Sequence, residues 1–231
     1  MLQAGVVTTA DAVRRRLGLG RLLPLGGAAD GAWLTEQAAD TVLRRAADGA
    51  PGVVLGRLRL GLADPDSTAR PAVPAPPSAL PPGPLRIEAD FAASAVVPLP
   101  AAAAALRAAL FTAAVDLLGL EVSEVDLRVT ELLDSAPEAP APAPPPGVRA
   151  GVRAVTASDP AGTAASGAPG VAHLTAALGA AVHLAPDHVR VEVATAGGYH
   201  PLDVVRSVRE AVTTALADGR PVAVLVTSVP A

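Results

Sequence analysis

Four histidines carry the chain's most usable chemistry, and three of them lie near carboxylates: His183 and His188 flank Asp187, and His200 is close to Asp203 across Gly197 and Gly198. Such groupings suggest two chemistries. Zinc needs ligands converging at about 2.0–2.2 Å. A catalytic His–Asp pair needs a hydroxyl nucleophile within reach, a role that falls to Ser207 or Thr195. Neither chemistry has its supporting pattern. A hairpin end meets His200 only by accident of folding, and no Gly-x-Ser-x-Gly elbow occurs. No catalytic, cofactor-binding or metal-ligating residue is therefore assigned, and no cofactor is expected. Tyr199 and His200, at the Gly-rich bend, are instead a candidate contact patch, and His173 reads as a half-buried strand residue.

These residues sit on a strand–helix–strand unit. Positions 189–193 predict a strand, 202–217 a helix with Leu202, Val205, Val208, Val212 and Leu216 on one stripe, and 222–229 a closing strand. An earlier stretch echoes it. Leu85, Arg86, Ile87 and Glu88 match Val189, Arg190, Val191 and Glu192, and Pro98 with Leu99 matches Pro201 with Leu202. There the strand begins at 85 and a helix covers 99–118, with Leu99, Ala103, Leu106, Leu110, Ala113 and Leu117 facing inward. A strand over 122–130 closes the unit, with Val125, Leu127 and Val129 alternating against Asp126, Arg128 and Thr130. The expected fold class is α+β: two related small units, each a short mixed β-sheet with a β-hairpin followed by a helix and a closing strand.

The expected division has four parts: an N-terminal helix and loop (1–29), a first unit (30–133), a Pro/Ala/Gly-rich linker (134–167) and a shortened second unit (168–231). In the first part, 9–18 predicts a short helix, and Arg14, Arg15 and Arg16 read as a solvated face. Positions 32–48 predict one helix ended by Gly49 and Pro51, and 53–62 a strand with one wet face. Residues 63–83, with prolines at 71, 74, 76, 77, 81 and 82, donate few backbone hydrogen bonds and read as an extended, mobile insertion at a hairpin tip. Residues 134–148 read as a polyproline-like spacer. In 149–168 the second unit's counterpart of the Trp33-bearing helix reads as degenerate or lost, although Ala-Pro-Gly-Val recurs at 50–53 and 168–171. The strand from Val222 is apolar on both faces and is expected to be buried on both, where the units meet.

The 231 residues include 51% hydrophobic ones, many of them small alanines, so core volume must come from Leu and Val. Lysine and asparagine are absent, and every basic side chain is arginine. A net charge of −4 gives no overall reason to expect nucleic acid as a partner. Cysteine is absent, which excludes disulfides, thiolate metal sites and Cys nucleophiles. The first residues lack the order of a secretory signal, and the alanine-rich stretch 99–120 is interrupted by Arg107 and Asp116, so no direct membrane span is expected. The expected location is cytoplasmic.

The run Gly-Leu-Glu-Val-Ser-Glu-Val from Gly119 to Val125 closes a helix and opens a strand, after a Pro-Gly-Val landmark and an acidic strand. In this it resembles the alkaline shock protein family of Gram-positive envelope-stress proteins, over 30–133 and more faintly over 168–229. Chains of this kind in actinobacteria also resemble a nucleopolyhedrovirus-type family, which implies no activity. The alkaline shock resemblance implies a non-enzymatic protein that self-associates as a homo-oligomer, or is held at the membrane periphery by a membrane-anchored partner. The alternative is a small-molecule- or nucleic-acid-binding module on a similar scaffold.

Overall fold

A computed structural model describes residues 18–134 and 153–230. Residues 9–17 of the predicted helix, the arginine run among them, and all of the proline spacer but Asp134 lie outside the described residues, while Gly18 is helical as expected.

The fold is α+β, with two sheets whose inner faces share one apolar core. In the larger sheet, β1 (Leu22–Pro24) is antiparallel to β2 (Ala32–Thr35), which lies parallel to β9 (Val222–Ser228). β9 is parallel to β8 (Val189–Thr195), and β8 is antiparallel to β6 (Val171–Leu174) and β7 (Val182–Leu184). The smaller sheet has the order β3 (Val53–Leu62), β4 (Leu85–Ser94), β5 (Val122–Leu133), with β3 antiparallel and β5 parallel to β4. Four helices complete the molecule among the described residues: α1 (Glu36–Ala47), α2 (Leu99–Thr112), α3 (Pro160–Gly167) and α4 (Pro201–Leu216). α2 is the crossover between parallel β4 and β5, and α4 between parallel β8 and β9.

The two crossovers match in detail. Ala-Pro-Gly-Val is in both places the turn that opens a strand, with Gly52 at φ 68° and Gly170 at φ 81°. Only glycine adopts that conformation without strain. The Gly52 carbonyl accepts from Ser94 N at 2.8 Å, and the Gly170 carbonyl from Ala196 N at 2.7 Å, at the end of the neighbouring strand each time.

Several expectations need correction. Residues 32–35 are not helical: they form β2, fully buried beside β9, and the helix starts only where the Thr35 hydroxyl accepts from Ala38 N at 3.3 Å. The opening segment of the expected first unit thus belongs to the sheet of β8 and β9. The helix at α3 is shortened rather than lost. Asp159 caps it, Pro160 sits in its first turn, and its small residues Ala161, Gly162 and Ala165 are buried. The stripe on α2 is centred as expected at Leu106, Leu110 and Ala113, but Leu99 and Leu117 are exposed while Ala102 and Leu118 are buried. A π-helical turn over Ala113–Leu117 explains the far end. Leu118 N bonds back five residues to Ala113 O, so each residue turns through a smaller angle than in an α-helix and Leu118 takes the core-facing position. By length and composition Leu99–Leu117 would suffice to cross a membrane, although here its inner face packs into the core.

The proline-rich insertion is also not a free tip. It folds back over the outer face of the larger sheet, where Val73 joins Leu22, Trp33, Ala223 and Leu225 in a second apolar cluster. Trp33 Nε1 donates to Leu80 O at 3.2 Å, Leu22 N to Ser78 O at 3.1 Å and Leu80 N to Leu22 O at 2.8 Å. Proline removes donors but leaves carbonyl acceptors, so the tract can still accept from a strand edge. β9 is indeed buried on both faces, and the cover on its outer side is this insertion.

Candidate interaction surface

The ring of Tyr199 lies against Gly170, where an added Cβ would come within 2.8 Å of its Cδ1. Val97 lies against Gly52 in the same way at the other crossover, so Tyr199 has a packing role even though it is 52% exposed. His200 precedes α4, and its ring lies instead against Gly119, in the turn between α2 and β5. The two side chains therefore brace two different loops. No hydrogen bond joins the side chains of His200 and Asp203 among the described residues; their link is Asp203 N donating to His200 O at 3.0 Å.

On the β7–β8 hairpin, His188 Nδ1 is 2.8 Å from Asp187 Oδ1, a contact that holds Asp187 below the usual carboxylate range. The His183 and His188 rings are 6.3 Å apart. No group of three or more metal-capable side chains occurs among the described residues. Thr195 spends its hydroxyl on Ser228 O, and His173 is half-buried on β6 as expected.

Glu192 was not singled out by its sequence, because an acidic residue on an alternating strand reads as solvent-facing. It is fully buried. Burial pushes its pKa up to about 7, against the pull of the Leu178 amide and Arg190. Leu178 N donates to its carboxylate at 3.0 Å, while Glu192 N donates to Ala181 O and its own carbonyl accepts from Thr175 N. One side chain thus holds the loop that separates β6 from β7. A threonine network lies at the carboxyl ends of the central strands: Thr175 and Thr227 hydroxyls are 2.8 Å apart, and Thr35 donates to Thr227 O. All three threonines are buried, so the network ties strands together and faces no solvent.

The smaller sheet differs. Its outer face carries Arg57 and Arg59 on β3, Arg86, Glu88 and Asp90 on β4, and Glu124, Asp126 and Arg128 on β5. Arg86 Nε bonds Glu124 at 2.6 Å, and Arg128 grips Asp90 through two bonds of 2.8 and 2.9 Å, which lowers the Asp90 pKa. These pairs are exposed, and screening by water leaves each a weak contributor to stability. A shallow hollow of about 350 Å³ lies among these charges, and another of about 390 Å³ lies between Arg21, Glu36, Asp40 and Arg59. Neither includes Tyr199 or His200. The inner face of β5 is incompletely covered: Val125 and Leu127 are half-buried, and Val129 and Leu132 are exposed at 36% and 67%.

Comparison with known proteins finds no matching family model, no similar curated protein and no similar solved structure.

Proposed function

We propose that the chain is a non-enzymatic structural or interaction protein that works by self-association, as a cytoplasmic scaffold of the envelope-stress type. One observation carries this reading. Most of the large hydrophobic side chains that stand exposed among the described residues, namely Val96, Leu99, Phe111, Leu117, Val129 and Leu132, come from the single stretch running from the end of β4 to the end of β5. Single exposed apolar residues need no explanation, but their concentration in one strand–helix–strand segment supports a contact surface there. Of the histidines, His183 and His188 lie near each other, His188 contacts Asp187, and His200 lies against Gly119. The interleaved charges on the smaller sheet likewise offer no basic stripe for nucleic acid.

Light scattering and sedimentation equilibrium across a wide range of protein concentration test the reading. A mass that rises to a multiple of the monomer is expected. A monomer at every concentration overturns it, and recovery of a membrane-anchored protein with such a monomer would favour anchoring by a partner instead.

A further inference from the structure

Resting on that reading, we infer that two copies of the chain join through β5, edge to edge and antiparallel, about a two-fold axis at Leu127, so that two three-stranded sheets become one.

An unpaired strand edge is a template for another strand, and proteins usually blunt it. Three of the four outer edges here are blunted. β1 is bonded along its edge by Ser78 O and Leu80 N of the proline tract. β3 is broken by a register shift between Leu55 and Leu58, and arginine side chains take its carbonyls, Arg44 at Gly56 O and Arg21 at Leu60 O. The last edge is divided into two short strands, β6 and β7, and β6 is met by Val155. β5 is twelve residues long, and among the described residues no strand lies on its far side. A single side chain touches a β5 carbonyl from α2, Arg107 at Val125 O, 3.3 Å away; in the joined sheet that exposed arginine must yield or share.

The sequence of β5 selects the partner and the register. In a two-fold antiparallel pair, facing residues share a sheet face, so the axis must pass through a residue. Centred on Leu127, Asp126 faces Arg128 of the second copy twice over, Val125 faces Val129 twice, and Leu127 faces itself. Centring on Asp126 or Arg128 sets identical charges opposite each other. Centring on Val125 opposes Glu124 to Asp126, and centring on Val129 opposes Leu127 to Glu131. Like charges directly opposed destabilise a pair. Leu127 alone among these centres pairs opposite charges and matches apolar with apolar. Asp126 and Arg128 are 62% and 72% exposed, so both can reach across the edge. The regular stretch between the two irregularities of β5, 124–129, contains all the residues required. Such an axis also sets both copies of α2 on one face of the joined sheet, beside the half-covered Val125, Leu127 and Val129.

The test uses the full chain. Asp126→Arg and Arg128→Asp should each weaken self-association on the order of tenfold, since each places like charges opposite each other twice. An equimolar mixture of the two should restore the dimer, because each variant then supplies the charge the other lacks. Leu127→Cys provides an independent readout in a chain without native cysteine. Mild oxidation should join two copies through that residue, while Leu184→Cys on the β7–β8 hairpin should not cross-link. Variants that still dimerise like the parent, or a mixture that stays monomeric, overturn the β5 pairing while self-association stands. A monomeric parent overturns the proposed function and the pairing with it.

Discussion

The two sheets contrast in how completely they are enclosed. The larger one has helices and core on one face, the proline tract, Trp33 and Val73 on part of the other, and backbone or side-chain partners along its margins. The smaller one buries Leu85, Ile87, Ala89, Phe91 and Ala93 from β4 against the core but leaves its outer face to ion pairs, and among the described residues no strand pairs with the far margin of β5. Burial is therefore greatest where the parallel strands β2, β9 and β8 lie side by side, as parallel sheets require. Openness is concentrated on β5. The difference separates the region that holds the molecule together from the region available for contact.

The largest effect expected is from Leu110→Asp. This residue is fully buried in the core that both sheets share, and an unpaired carboxylate there costs several kcal/mol. Thermal melting should show the whole molecule lost; a variant in which only part unfolds would show that the two sheets do not stand or fall with one core. Trp33→Ala tests the outer cover. Removing a buried Trp costs about 3–5 kcal/mol, and hydrogen exchange should rise along 72–80 as well as in β9. Unchanged exchange in the tract would mean that it does not depend on the sheet beneath it.

Glu192 sharpens the contrast through pH. Its pKa in the folded chain is raised to about 7 from 4.5. The corresponding stability is present below the unfolded value and is lost as pH rises through about 7, a difference on the order of 3 kcal/mol. Urea titrations of the parent and of Glu192→Gln between pH 4 and pH 8 should diverge, with the parent losing ground relative to the variant as pH rises. Parallel curves would mean that the carboxylate is not held in the environment described. The smallest effect belongs to the open sheet. Arg86→Ala removes the contacts to Glu124 and Asp126, yet these are exposed and screened by water, so the melting temperature should barely move. A larger loss would show that the charged face contributes to the fold itself.

Expectations that rest on local periodicity agree with the structure over much of the chain. β3 spans Val53–Leu62 as expected, the α4 stripe is correct at Val205, Val208 and Val212, and the echo between 85 and 189 corresponds to two parallel crossovers. Where non-local partners decide, the sequence was silent or misleading. Ala32–Thr35 carries an apolar run as compatible with a helix as with a strand, and becomes a strand because β9 lies alongside. Tyr199 and His200 were legible as residues at a bend, but not as braces of Gly170 and Gly119, which lie far from them in the chain.

Spacing of Leu, Val and charged residues along the chain settled most of the helical and extended stretches and the middle of each inward stripe, because those patterns depend on neighbours two to four positions away. Tertiary structure alone decided that the proline tract covers a sheet, that Glu192 is buried and that β5 pairs with no further strand among the described residues. Each of these depends on what a distant segment places against it, and no local pattern records that.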